Sequence, residues 1–367
     1  PIANNYDPLA CFDDGSCTYN YGCTDSSAAN YDPSATMDDG SCIYCNISAV
    51  DTLNYTGAMQ TYTVPAGVTS ITIEAYGAQG GSELNTGNIG GNGANMIGDF
   101  TVTPGNDLTI LVGQMGVSNG DAAGGGGGTF VVNSGGVPLI IGGGGGGAYS
   151  NSYNYSAANM DASITTNGNN GIYGFNQTIA GLGGSGGMGG FAGTYNTGIE
   201  ENGTGGGGFF SDGESSGGAT GGLSYINGAT GGFASCNSGA NGGYGSGGSG
   251  DYCYWTGGGG GGGYSGGGGG TYYGCGGGGG SYNIGINQQN SVGNIGNGLV
   301  IISYNIQNTT GCTDPLATNY DSLAVCDDSS CVYTCDLTTT LTILNATSSS
   351  SCDGFAFVNA TSSYPPI

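Results

Sequence analysis

Glycine comes in unbroken runs along one stretch of this chain: Gly124 to Gly128, Gly142 to Gly147, Gly205 to Gly208, Gly257 to Gly263, Gly266 to Gly270 and Gly276 to Gly280. A lone run reads as a flexible linker, because glycine loses more backbone freedom on ordering than any other residue. Here the runs are separated by Phe209, Phe210, Tyr264, Tyr272, Tyr273 and Tyr282 and bracketed by β-type sequence. That pattern favours extended threefold segments of the polyproline II kind, which make no internal hydrogen bonds and point their amides and carbonyls outward. Segments laid side by side satisfy one another, and the missing Cβ lets them approach closely. At about 3.1 Å per residue, Gly257 to Gly263 would span about 22 Å. Collagen is excluded, since there is no G-X-Y period and only 9 prolines stand against 86 glycines. The competing reading is a disordered Gly/Tyr-rich tract. The flanking strands would then have nothing to pack on, which favours order.

The 367 residues contain no Lys, no Arg and no His against 25 Asp and Glu, a formal net charge of −25. Ion pairing between side chains is therefore impossible. Nucleic acid is excluded as a partner, because phosphate binding needs cationic side chains, and an anionic membrane surface is disfavoured for the same reason. Most catalysis goes too: there is no His base, no Schiff-base Lys, no Ser-His-Asp or Cys-His arrangement and no Arg clamp. Carboxylate-pair chemistry is formally open, but Glu200 and Glu201 precede Asn-Gly and read as a solvated turn. No catalytic residue and no organic cofactor are expected. Thirteen Cys in a chain with Asp-rich repeats point to an oxidising compartment, hence to a secreted, extracellular, surface-attached protein. No apolar segment approaches the ~20 residues of a membrane span, so direct membrane insertion is not expected.

Three copies of one short unit are visible. GCTDSSAANYDPSATMDDGSC opens at Gly22, GCTDPLATNYDSLAVCDDSSC opens at Gly311, and PIANNYDPLACFDDGSC at Pro1 lacks the GCTD head. Cys23 to Cys42 and Cys312 to Cys331 share one spacing, which would place the partner of Cys17 upstream of Pro1; the chain reads as a window cut from a longer polypeptide. Such units are too small to bury a core, so a disulfide must compensate, with Tyr6, Tyr31 and Tyr320 as apolar plugs. Recurrent oxygens have the character of a calcium site: Asp25, Asn30, Asp32, Asp38 and Asp39 in the second copy, Asn5, Asp7, Asp13 and Asp14 in the first, and Asp314, Asn319, Asp321, Asp327 and Asp328 in the third. The alternative is that these Asp, Asn and Gly residues simply form turns. The recurrence of CTD, NYDP and DDGSC resembles Cys- and Asp-rich repeats of secreted Bacteroidetes-type surface proteins and, more loosely, thrombospondin type 3 calcium repeats.

Between them, residues 46–307 read as one domain. In TVPAGVTSITIEAYGA, Ile71, Ile73 and Ala75 alternate with Thr72, Glu74 and Tyr76, which is strand periodicity. ANMIGDFTVTPGNDLTILVG and GGTFVVNSGGVPLIIGGGGGG give further strands. GNGLVIISY closes the domain with an apolar run suited to burial. This order resembles the glycine-rich domain of bacterial surface proteins, related to the extracellular glycine-rich region of anaplastic lymphoma kinase-type receptors, and more distantly the polyglycine bundles of phage tail-tip adhesins. The resemblance implies an all-β fold, a jelly-roll-like β-sandwich with an inserted polyglycine II bundle. Cys236, Cys253 and Cys275 fall among the glycine segments and are expected to staple two of them, one of the three reaching Cys45; sequence does not fix the connectivity.

The remaining domains are a truncated repeat at 1–17, full repeats at 18–45 and 308–334, and at 335–367 a β-type stretch. TTTLTILNAT and GFAFVNAT there resemble the start of an immunoglobulin-like repeat of gliding-motility adhesins. Two strands do not make a stable unit, so either the chain continues past Ile367, the favoured expectation, or a neighbour completes the sheet. Asn-x-Ser/Thr sequons stand at Asn46, Asn54, Asn154, Asn176, Asn202, Asn308, Asn345 and Asn359. AspThrLeu and AspSerLeu resemble a Bacteroidetes O-glycosylation motif, which would place sugar on Thr52 and Ser322. The expected function is a structural segment of a secreted fibre or appendage whose partners are copies of itself or the rest of one long chain. The alternative is an adhesin that binds glycans or another cell through Tyr252, Tyr254, Trp255, Tyr272 and Tyr273; against it, those rings would instead cap the glycine bundle.

Overall fold

The computed structural model describes residues 3, 4, 9, 15–85, 87–149, 157–174, 178–194, 202–236, 239–251, 257–307, 309–333, 338–345, 347, 348, 350, 353 and 355–361. In chain order the strands begin with β1 (Tyr21–Gly22), β2 (Met37–Asp38), β3 (Asn46–Asn54), β4 (Gln60–Thr63) and β5 (Ser70–Tyr76). Then come β6 (Gly93–Thr101), β7 (Asp107–Leu111), β8 (Thr129–Asn133) and β9 (Pro138–Gly142). The short β10 (Ile172–Tyr173) and β11 (Thr178–Ile179) lie within the glycine-rich stretch, followed by β12 (Tyr282–Asn283), β13 (Ile286–Asn294) and β14 (Leu299–Gln307). The chain continues through β15 (Thr310–Gly311), β16 (Cys326–Asp327), β17 (Thr338–Leu344) and β18 (Phe355–Thr361).

Two units separate: Ser48–Ile306, and the flanking Pro1–Ile47 with Gln307–Ile367. The first is an all-β sandwich. One five-stranded sheet runs β12-β9-β8-β7-β4 and the other β13-β6-β5-β14-β3. In β5 the side chains of Ile71, Ile73 and Ala75 are buried while Thr72, Glu74 and Tyr76 are half-exposed, as the period of two requires. Their face meets Met96 and Phe100 of β6, Val300 and Ile302 of β14, and, from the opposite sheet, Leu108, Ile110, Val131 and Ile140. β14 is buried on this face alone: Ile301 is only half-buried, so the closing strand is not covered on both sides as its composition suggests.

β8 behaves differently. Thr129, Phe130, Val131 and Val132 are all buried, because its sheet has a second covered face. Leu111, Phe130, Val132 and Ile141 point away from the sandwich core and pack on Phe209 and Ala229, with Tyr225, Tyr244, Tyr264 and Tyr282 at the margin. All of these partners but Tyr282 come from the long insertion between β9 and β12. The glycine-rich stretch is thus anchored on a sheet through its aromatic interruptions.

In the flanking unit, the second and third repeats fold alike. Each carries a two-residue parallel pair, Tyr21↔Met37 and Gly22↔Asp38 in one, Thr310↔Cys326 and Gly311↔Asp327 in the other. Burial there rests on Cys23, Cys312, Cys326, Ala28 and Ala317. Tyr31 and Tyr320 are 43% and 46% exposed, so the expected tyrosine plugs are replaced by half-cystines and alanines; Tyr6 lies outside the described residues. β17 and β18 form an antiparallel hairpin from Thr338↔Thr361 to Leu344↔Phe355.

Candidate functional site

Most of the residues that fill the glycine runs carry no side chain, so the candidate site is built from the backbone itself. The seven residues Gly257 to Gly263 are all buried, and their hydrogen bonds recur every third residue in three directions. Gly258 and Gly261 donate to the carbonyls of Gly274 and Gly277, both at 2.9 Å. Gly259 and Gly262 donate to Ala123 and Gly126, and Gly260 and Gly263 to Thr204 and Gly207. In each pair the partner numbers rise together, so these neighbours run parallel. The carbonyls look to other neighbours. Gly270 and Gly267 donate to Gly258 and Gly261, Gly147 and Gly144 to Gly259 and Gly262, and Gly248 to Gly260. In the first two of these the numbers fall, so the neighbours run antiparallel. One segment is therefore surrounded by six others, three accepting from it and three donating to it, and every amide from 257 to 263 is used.

This packing leaves no room for a side chain. A Cβ on Gly258 would lie 2.1 Å from the Gly147 carbonyl oxygen, on Gly260 2.1 Å from that of Gly267, and on Gly261 2.1 Å from that of Gly144. Those obstacles are backbone on all sides. Where hydroxyl residues interrupt the runs, they are buried and act as bridges. Ser281 accepts from the Gly143 amide at 3.0 Å and donates to the Ser163 carbonyl at 2.7 Å. Ser265 likewise accepts from Gly187 at 3.0 Å and donates to the Thr166 carbonyl at 2.6 Å.

The two ends of the bundle differ. At the sheet end, Phe209 lies on Tyr225 and Tyr264 stacks on Tyr282 with centroids 4.5 Å apart. At the other end Tyr173 stacks on Tyr272 at 5.3 Å, and Tyr273 packs on Tyr149 at 5.5 Å while remaining 43% exposed. Tyr272 and Tyr273 have φ of 43° and 66°, left-handed backbone that bulky residues rarely adopt. Tyr252, Tyr254 and Trp255 lie outside the described residues.

In the repeats, the candidate calcium ligands serve turns. Asp25 Oδ1 accepts from the Ser27 amide at 2.9 Å and its Oδ2 from the Tyr44 hydroxyl at 2.8 Å. Asp314 does the same with Leu316 at 2.8 Å and Tyr333 at 2.6 Å. The Ser27 amide and hydroxyl hold the Asp25 carboxyl below its ordinary value, with Tyr44 adding to them; the Tyr333 hydroxyl does so first for Asp314. Asp32 and Asp321 take the amides of Ser34 and Leu323, and Asp39 and Asp328 those of Ser41 and Ser330. Asp38 and Asp327 accept from the amides of Gly40 and Ser329. Asn30 and Asn319 each bridge the far loop, donating to Ser41 and Ser330 and accepting from Ile43 and Val332, all at 2.7 Å. Among the described residues no three His, Cys, Asp or Glu converge as a metal cage. Asn5, Asp7, Asp13 and Asp14 of the first copy lie outside them.

Cys23 pairs with Cys42 and Cys312 with Cys331, each with Cα atoms 4.8 Å apart. Cys45 pairs with Cys326, not with a cysteine of the glycine stretch. Cys275 is an unbridged thiol, fully buried with Ala122, Tyr149 and Met160, and burial pushes it up to about 12; it staples nothing. Cys236 is disulfide-bonded, while Cys253 lies outside the described residues. These disulfides suit an oxidising compartment, and no helix among the described residues is long and apolar enough to cross a membrane.

Of the glycosylation candidates, Thr52, Ser322, Asn54, Asn345 and Asn359 are exposed. Asn202 is 2% exposed and accepts from the Thr271 hydroxyl, so folding closes that sequon. Asn46 lies in β3, and Asn154, Asn176 and Asn308 fall outside the described residues. Sequence reasoning missed one polar cluster, in which Asp51 accepts the hydroxyls of Tyr62 at 2.9 Å and Tyr304 at 3.1 Å. Its members come from three strands far apart in sequence, with no local signal. Compared with known proteins, the chain matches no family model and no curated protein.

Proposed function

We propose that the chain is a non-catalytic structural segment of a secreted bacterial extracellular fibre or surface appendage. Its glycine runs are polyglycine II helices bundled into a solid, and its Cys/Asp-rich repeats are disulfide-locked spacers. One observation carries the reading: the backbone of Gly257 to Gly263 is buried and hydrogen-bonded in threefold rotation to six neighbours. A stretch built this way resists bending and proteolysis, as an exposed material must. The absence of Lys and Arg from the whole chain removes the cleavage sites of trypsin-like proteases. Its partners in this reading are copies of itself or further stretches of one long polypeptide. Electron microscopy of the protein released from cells tests it. Periodic filaments are expected, and only dispersed monomers would remove the fibre role.

A second reading is an adhesin module that binds glycans or another cell. It is favoured by Tyr272 and Tyr273, whose left-handed backbone presents rings at the bundle end away from the sandwich. Backbone of that kind costs on the order of 1–3 kcal/mol and clusters where ligands are clamped. Retention of the protein on a glycan array, lost in Tyr272→Ala, would favour this reading over the first.

A further inference from the structure

The Cys45–Cys326 disulfide joins residues 281 apart in sequence with Cα atoms 5.7 Å apart. Everything from β3 to β14 lies inside that loop. Neither cysteine belongs to the repeat pattern. Cys326 opens the second strand of its repeat, the place that Met37 takes in the other copy, and it is fully buried where Met37 is 36% exposed. The two ends of the sandwich lie side by side. β3 neighbours β14 in one sheet, and Ser48 donates its hydroxyl to Asn305 at 2.7 Å.

Side-by-side ends are a poor way to carry tension. A pull on them loads β3 against β14, and neighbouring strands pulled from the same end unzip, breaking their hydrogen bonds singly and in succession. β3 is also an edge strand, with β14 as its one sheet neighbour among the described residues. Its loss would strip Asp51 from Tyr62 and Tyr304 and open the core behind.

We infer that Cys45–Cys326 is a covalent force shunt. Tension entering through the second repeat crosses from Cys45 to Cys326 and leaves through the third, and the glycine-rich unit is a closed side loop outside the load path. The flanking residues form one compact unit although the sandwich interrupts them in sequence, as a load path through them requires. The need for a shunt rests on the fibre reading, since tension must exist; the connectivity does not. The glycine bundle is then displayed by the fibre and not stretched by it, and the repeats carry the load.

The test is single-molecule stretching of the full chain held at its two ends. It compares the oxidised protein with the same protein after reduction and with the oxidised double variant Cys45→Ser/Cys326→Ser. At about 3.3 Å per extended residue, a release of about 900 Å is expected in the reduced protein and the double variant, and not in the oxidised protein. The double variant separates this bond from Cys23–Cys42 and Cys312–Cys331, which hide only short loops. Equal release in all three samples, long or absent, would overturn the shunt. A lack of filaments by microscopy would remove the fibre reading alone.

Discussion

Phe209 and Tyr225 lie face to face, ring centroids 4.8 Å apart and planes 8° from parallel. Phe130 from β8 approaches the same tyrosine at 5.2 Å. The pair closes the second face of a sheet with residues from the glycine insertion, so sandwich and bundle share one apolar core. Phe209→Ala should cost about 3–5 kcal/mol. Phe210→Ala, at a ring 49% exposed, should cost about 1 kcal/mol or less. Urea unfolding of both variants decides it, and equal losses would mean that the insertion is not anchored there.

Side-chain-free packing makes a sharper prediction. Gly260→Ala sets a methyl 2.1 Å from the Gly267 carbonyl oxygen, with no flexible atom to yield, whereas Gly135→Ala meets only the Asn133 side-chain oxygen at 3.3 Å. The first should cost about 3 kcal/mol or more and lower Tm by roughly 5–10 °C; the second should be close to neutral. Calorimetry that ranks the two alike would contradict the packing.

The repeats should be held by sulfur and turns. Removing Cys312–Cys331 should cost about 3 kcal/mol locally, seen as proteolysis within residues 309–333 while the sandwich survives. The Oδ1 atoms of Asp25, Asp32 and Asp39 serve turn amides; if turns are their whole role, millimolar calcium or a chelator leaves Tm unchanged. A calcium-dependent rise would show that these residues also ligate the ion.

Alkali should weaken the sandwich in a defined window. Burial, then the Glu74 carboxylate, pushes the Tyr76 hydroxyl up to about 12, and burial and Asp51 push Tyr62 up as well. Below pH 10 both stay protonated, folded or unfolded, and their contribution is fully present. Between pH 10 and 12 the unfolded chain releases these protons while the folded chain keeps them, so stability falls as pH rises. The slope should shrink in Tyr62→Phe/Tyr76→Phe, measured by urea unfolding at pH 9 to 11.5; an unchanged slope would exclude these hydroxyls as its source.

The features legible in sequence are those fixed locally. Ile71, Ile73 and Ala75 announce their face through the period of two, and Cys23–Cys42 and Cys312–Cys331 announce themselves by a shared spacing. What stayed hidden depends on contacts made across long separations. Burial of the second face of β8 comes from Phe209 and Tyr225, which no window around Phe130 contains. Tyr31 and Tyr320 look like plugs by size, yet the buried side chains of the repeats are those of Cys23, Cys312, Cys326, Ala28 and Ala317. Cys45 gives no hint of Cys326, because the repeat pattern has no cysteine at that place. The glycine runs show that close approach is intended, but which run neighbours which follows from their hydrogen bonds.

Hydrogen exchange of the amides of Gly258 to Gly263 tests the account most directly. They donate in turn to carbonyls of three other buried segments, so exchange should need cooperative opening and be slowed at least about 10,000-fold against a free glycine peptide. Exchange of these amides within seconds, in protein whose β5 and β6 amides remain protected, would contradict a solid glycine bundle.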